Sequence, residues 1–397
     1  MVELEIERVI WRGRGLARIK DGRRAIVLPP VFPGEVIRGS IIREKRDYVE
    51  VRPKEILSPS PIRRDHPCKY SHMCGGCTFG HIKYKEQLRL KREILVHQLS
   101  RHLGQYLNME MNPISQLYPS PERWGYRWRG QVVVKNGVPH LQRLGTNLLI
   151  SFDKCLLYCH PLNDSLGDRC RNLPDGRAIL ATSPVDMATY THRDKGPLLL
   201  PVYGCAHPLE IPPSCFFQAN QNLNAHLVRW VVNELKGEET IIDLFAGSGN
   251  FALPLSLQHK DVIMVEKEEG ALEAAKRFAK AHGLELGTER IDLFRDAALK
   301  EFLKRIQGRG AEALIVDPPR IGGRSIPILV EGIRSLKKIV WVSCDVINTC
   351  RDVLPLLKKG WRISKMAIFD MFPQTYHVEV VFVIIPDQGE KGVGYGQ

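Results

Sequence analysis

From about residue 226 onward the chain alternates apolar helical and strand-like segments. One junction, "TIIDLFAGSGNF" (240–251), restricts the fold more than any other. An apolar strand runs into a turn that holds Gly247 and Gly249, and a helix opens directly behind it. Glycines there let the backbone turn tightly and approach a bound molecule. A helix over 225–235 precedes the junction, and the strands "VIMVE" (262–266), "ALIVD" (313–317), "KIVWVSC" (338–344) and "HVEVVFVII" (377–385) follow it. Helices at 271–283 and 326–336 separate the earlier strands. Strands without polar alternation, interleaved with helices, predict a parallel sheet covered on both faces, an α/β Rossmann-type domain.

In such a sheet ligands bind outside the carboxyl ends of the strands. The glycine turn lacks the G-x-G-x-x-G spacing and the P-loop lysine, which disfavours dinucleotides and nucleoside triphosphates. Glu266 ends the next strand, where a carboxylate can accept hydrogen bonds from ribose hydroxyls. Loop and acid together read as an S-adenosylmethionine site. Asp317 ends a later strand in "IVDPPR", and the two prolines stiffen that loop. Cys344, in "VSCDVINTC", sits where a further strand gives way to an expected polar turn. It is either an inert core thiol or a nucleophile in the same crevice. Glu379 enters the last strand from "FDMFPQTYHVEVV" (369–381).

The remainder of the chain reads differently. Residues 1–57 contain short strands (4–10, 16–19, 25–28, 35–43 and 48–51) between turn signals, which predicts a small β-barrel. The segment 58–67 reads as a linker. Cys68, Cys74 and Cys77 follow as C-x5-C-x2-C, and four thiolates could hold zinc or an iron–sulfur cluster. A fourth ligand must come from elsewhere. Residues 83–103 show helical periodicity with a basic face of Lys83, Lys85, Arg89, Lys91, Arg92 and Arg101, and this helix belongs either to the central or to the catalytic part. "RWGYRWRGQVVVK" (123–135) interleaves arginines with aromatics, a mixture suited to unstacked bases. Residues 136–215 read as irregular and β-rich. The formal net charge of +13 suggests a polyanionic partner. The longest apolar runs are strand-length, and the amino terminus does not look like a signal peptide, so a cytoplasmic location is expected.

"DLFAGSGNF", "DPPR", "VSCD" and "DMFPQTYHVE", in this order, resemble the RNA (uracil-5-)-methyltransferase family, as do "FFQANQ" (216–221), "GLARIKDG…VFPGE" and "WGYRWRG". The resemblance implies three parts: a TRAM-like, RNA-binding β-barrel (1–57), a central iron–sulfur and RNA-binding region (58–215), and a Rossmann-fold catalytic domain (216–386), with a mobile tail (387–397). It implies methylation of carbon 5 of a uridine in structured RNA, 23S rRNA first and the T-loop uridine of tRNA second. Cys344 would be the nucleophile at carbon 6 and Glu379 the base that removes the carbon-5 proton. Gln218, Phe245, Asn250, Glu266 and Asp317 would line the S-adenosylmethionine pocket, with Asp296 on the adenine side. It favours a 4Fe–4S cluster over zinc on Cys68, Cys74, Cys77 and Cys155, with Cys159 as the other choice for the fourth thiol. No membrane and no obligate protein partner are implied. One departure stands beside the thiol: Asp345–Val346 replaces the family's usual Asn-Pro. It keeps a second reading in view, a non-catalytic iron–sulfur RNA-binding protein.

Overall fold

The computed structural model describes residues 1–107 and 114–387 of the chain; most of the expected tail, 388–397, lies outside them. Eight strands form the largest sheet, in the order Gly287–Arg290, Asp261–Glu266, Thr240–Leu244, Ala313–Val316, Lys338–Ser343, Glu379–Pro386, Trp361–Phe369 and Gln116–Tyr118. The first five run parallel. Glu379–Pro386 runs antiparallel to both neighbours. The strand order reverses between Thr240–Leu244 and Ala313–Val316, and such a reversal opens a crevice at the strands' carboxyl ends. Apolar clusters cover both faces, one with Ile241, Met264 and Val340, the other with Ile242, Trp341 and Phe382. Both clusters draw on the same strands, which is why these strands read as unbroken apolar runs.

Several elements of this sheet carry little sequence signal. The helix Asp296–Ile306 and the strands Gly287–Arg290 and Trp361–Phe369 are additions to the expected pattern. The expected polar turn after Cys344 is instead the start of a helix, Val346–Lys358. Pro355 inside it argues against a helix by propensity. Tertiary packing overrides that cost: Val346, Cys350, Val353 and Leu357 form one buried stripe in the cluster around Trp341.

The helix Tyr84–Leu103 places Leu95, Leu99 and Leu103 in that same cluster, so it packs on the catalytic sheet. Lys91 is therefore not on a basic face. It is 1% exposed and pairs with Asp370, a carboxylate with no exposure. Its Nζ also donates to the Phe372 carbonyl at 3.0 Å.

The amino-terminal residues form a six-stranded sheet around Leu4, Ile6, Val27, Ile37 and Val51. The single strand expected over 4–10 is two, Val2–Glu5 and Arg8–Ile10, and the last strand, Tyr48–Ser58, reaches further than expected. The segment taken for a linker is anchored: Arg63 pairs with Glu35, which is fully buried and also accepts from the Phe32 N–H at 3.0 Å. A buried carboxylate needs such a partner. The central region forms a five-stranded sheet and, against expectation, a helix, His160–Arg171. Leu162, Leu166 and Cys170 are its only buried residues, a stripe too narrow to stand out in a polar segment.

Candidate active site and thiol cluster

The glycine turn behind Thr240–Leu244 bends through Phe245 (φ 58°), Gly247 (φ 54°) and Gly249 (φ 93°). At Gly249 a β-carbon would lie 2.7 Å from Leu253, so only glycine fits. Glu266 holds the turn from the next strand. One carboxylate oxygen accepts from the Gly247 N–H at 3.0 Å; the other accepts from Lys267 and Glu268 N–H at 2.7 and 2.9 Å. A cavity opens over this turn, and Gln218, Phe245, Asn250 and Asp317 line it together. Asn224 lines it too, in a reciprocal amide pair with Asn250 (2.8 and 3.1 Å). Sequence reading missed Asn224, because a polar residue on an amphipathic helix carries no mark of its tertiary neighbour. Neither Glu266 nor Asp296 is among the lining residues: the Glu266 carboxylate is taken up by main-chain N–H groups, and that of Asp296 accepts from the Ser325 hydroxyl at 2.6 Å. Phe294, two residues earlier, approaches Phe245 at 5.7 Å between ring centroids.

Cys344 and Glu379 come from adjacent strands of opposite direction. Ser343 pairs with Val380, so the next position places Cys344 across from Glu379. Asp317 ends the neighbouring strand on the other side. Cys344 is half-buried and Glu379 is 3% exposed. Burial pushes the Cys344 thiol up to about 12, helped by Glu379, Asp317 and Asp345 and opposed by the Arg320 guanidinium. Burial and Asp317 push Glu379 well above the usual carboxylate range, again opposed by Arg320. Asp317 is raised by burial to about 7. The resting site thus favours a neutral thiol and a neutral Glu379 carboxyl. Arg320, the last residue of "DPPR", is a cation that acts on both, and sequence reading gave it no role.

Asp345 caps the helix behind the thiol. Its carboxylate accepts from the Asn348 N–H at 3.1 Å, and its own N–H donates to Ser343 Oγ at 3.0 Å. The Thr349 hydroxyl closes the loop onto Ser343 Oγ at 2.6 Å. Asp and Asn are equally good N-caps, and a following proline serves the first helical position only as a preference. Asp345–Val346 therefore does the structural work of an Asn-Pro pair, with one added negative charge.

The second cluster is built of thiols. Cys77 lies well above its ordinary range through burial, then through the charges of Cys155, Cys74 and Cys68, with Arg127 opposing. Cys155 is raised to about 11 by burial, with Cys74 contributing. The four thiols thus sit close enough to feel one another. Cys159 stands apart: it is buried beside Thr182 and Asp164. Among the described residues, no group of three or more His, Cys, Asp or Glu side chains is placed to hold a metal ion.

The family model described as tRNA (Uracil-5-)-methyltransferase matches residues 141–385. The chain is 30% identical to the 23S rRNA (uracil(1939)-C(5))-methyltransferase RlmD of Pseudomonas entomophila, over 95% of this chain and 92% of that protein. It is 27% identical to an uncharacterized RNA methyltransferase of Thermotoga maritima, over 96% and 98%. Among solved structures, the Pyrococcus abyssi tRNA (uracil-54, C5)-methyltransferase in complex with S-adenosyl-L-homocysteine shares the fold, with a TM-score of 0.70, 21% identity, and 96% and 100% coverage. With a family model spanning more than half its length and relatives matching nearly all of it, this chain belongs to the RNA (uracil-5-)-methyltransferase family.

Proposed function

We propose that the protein methylates carbon 5 of a uridine in 23S rRNA, using Cys344 as nucleophile and Glu379 as base. The observation that carries this reading is the juxtaposition of Cys344 and Glu379 across two strands, beside the cavity over the glycine turn. S-adenosylmethionine supplies an electrophilic methyl group when bound. Gln218, Phe245, Asn250, Glu266 and Asp317 bind and orient it, while Asp296 stands further out. Carbon 5 of uracil is a poor nucleophile until a thiolate adds at carbon 6. Cys344 gives its proton to solvent as it forms the Sγ–C6 bond; the C5–C6 pair becomes an enolate whose carbon 5 would take the methyl group, leaving a thioether, and Arg320 offsets the developing negative charge. After transfer, Glu379 removes the carbon-5 proton; the double bond re-forms and the C6–Sγ bond breaks. A buried carboxylate with a raised pKa is a strong base once ionised. The base has to leave its stack to reach Cys344.

The amino-terminal sheet serves, in this reading, as a TRAM-type RNA-binding barrel; its exposed Arg43, Lys45 and Arg46 support that role. Cys68, Cys74, Cys77 and Cys155 would hold a 4Fe–4S cluster that cross-links the central region. Half-buried thiols near enough for Cys77 and Cys155 to feel their neighbours' charge fit a group that brings positive charge. Among the described residues no helix is long and apolar enough to cross a membrane, and action on cytoplasmic RNA fits this.

The test is covalent trapping. Fluorine at carbon 5 cannot be removed as a proton, so 5-fluorouridine RNA stalls a working enzyme as a denaturant-stable adduct. Wild type is expected to trap 23S fragments and Cys344→Ala to trap nothing. Trapping of tRNA alone would move the substrate to the T-loop uridine. No trapping of either RNA, with S-adenosylmethionine bound, would leave the non-catalytic RNA-binding reading.

A further inference from the structure

The loop that leads into Glu379 is held almost entirely by residues from outside the catalytic sheet, and Gln374 is its centre. Gln374 has no exposure and a left-handed backbone (φ 69°), which a non-glycine residue adopts only when its surroundings enforce it. Its main-chain N–H donates to Gln87 Oε1 at 2.8 Å, and its carbonyl accepts from the Phe79 N–H at 2.9 Å. Its side-chain oxygen accepts from Gln87 Nε2 at 2.8 Å and Arg64 at 3.2 Å; its Nε2 donates to the Arg123 carbonyl at 2.9 Å. The preceding Pro373 carbonyl accepts from the buried Tyr126 hydroxyl at 3.1 Å. Phe79 lies two residues beyond Cys77, whose carbonyl accepts from the Gly80 N–H at 3.0 Å. From Gln374 the chain runs five residues to Glu379 and is fastened once more where the His377 N–H donates to Thr375 Oγ1 at 3.1 Å. Cys344 is held separately, through Ser343, Asp345 and Thr349.

On the proposed reaction, we infer that Gln374 is a positioning residue for Glu379: it seats the base on the cysteine-bearing loop, so that this contact governs proton abstraction and leaves thiol addition untouched. In the step at issue the Glu379 carboxylate takes the carbon-5 proton, the C5–H electron pair becomes the C5–C6 double bond, and the C6–Sγ pair returns to Cys344. If Glu379 is displaced, the Sγ–C6 bond and the new methyl group are already in place and the enzyme stalls on its own product precursor.

The experiment compares wild type, Gln374→Ala and Gln87→Ala, each as the full chain with its native metal content. The first variant removes the hub's side chain; the second keeps that side chain and removes two of its bonds, one to the main-chain N–H and one to Oε1. Two readouts are taken: adduct formation on 5-fluorouridine RNA, and denaturant-stable adduct accumulating on ordinary uridine RNA. The expected result is undiminished 5-fluorouridine trapping, release of methylated RNA slowed by about a hundredfold, as a misplacement near 1 Å produces, and an adduct on ordinary RNA that wild type does not accumulate. Gln87→Ala should show the same pattern more weakly. Equal loss of trapping and release in both variants would mark a general structural role and overturn the inference. Release at the wild-type rate without accumulation would overturn it too. Failure of wild type to trap 5-fluorouridine RNA would instead count against the proposed reaction itself.

Discussion

At Cys344 the protein holds the proposed nucleophile as a protonated thiol. Burial and three carboxyl neighbours push the thiol to about 12, and Arg320 opposes them. Below that value the thiolate fraction rises about tenfold for each pH unit. Adduct formation on 5-fluorouridine RNA is therefore expected to climb with pH through the neutral and mildly alkaline range. Asp345→Asn keeps the helix cap and removes one of the charges, so its profile should shift to lower pH with an unchanged shape. Asp345→Ala should shift it likewise but also lose the cap, at a cost of about 1 kcal/mol in a urea melt. A profile identical to wild type in both variants would mean that the charge of Asp345 does not reach the thiol. Asp317 gives a second pH signature. Burial raises its folded pKa to about 7 from the ordinary 3.8, so the native state keeps a proton that the unfolded chain releases. That contribution to stability is present below pH 3.8 and is lost as pH rises through 7. Asp317→Asn is expected to flatten the fall in melting temperature across that window, measured by thermal melts in matched buffers.

At the scale of elements, the helix Tyr84–Leu103 is a brace. Its apolar stripe joins the cluster under the catalytic sheet, while Lys91 and Tyr84 reach Asp370 and Gln87 reaches Gln374. Lys91 is buried, and desolvation pulls its pKa down while the Asp370 carboxylate pulls it up. Removing one partner of a buried pair leaves a charge without solvent or counter-ion. Lys91→Met is expected to cost about 3–5 kcal/mol in a denaturant melt. Lys91→Met combined with Asp370→Asn should recover much of that loss. A single variant within experimental error of wild type would show that the pair holds little. The same helix carries exposed basic residues, so a face that seems uniform in sequence divides between solvent and core.

Across the whole molecule, the cysteine-bearing loop, the brace helix and the last catalytic strand meet at one loop, 370–377. If the thiols hold the proposed cluster, its loss should therefore be felt beyond the central region. Cys155→Ser is expected to lower the iron and acid-labile sulfide bound per chain, whereas Cys159→Ser should leave both unchanged, because Cys159 points to Thr182 and Asp164. The reverse result would exchange their roles. Much of this arrangement was legible in the order of residues. The glycine turn, the strand-end acids and the thiol at a strand end all belong to local stretches whose spacing is set by backbone geometry. Gln218, Phe245, Asn250 and Asp317, taken from motifs far apart, do meet at one cavity, whereas Glu266 and Asp296 do not line it. The strand Trp361–Phe369, the helices His160–Arg171 and Val346–Lys358, and the roles of Asn224, Arg320 and Gln374 were not legible. Each depends on contacts with residues remote in the chain, which a local pattern does not encode. The sequence by itself determined the alternation that makes a covered parallel sheet and the chemistry-bearing residues at its strand ends. Only the tertiary structure decided which of those residues face one another, that Lys91 is core rather than surface, and that a buried glutamine ties the cysteine loop to Glu379, because burial and pairing are properties of the packed chain.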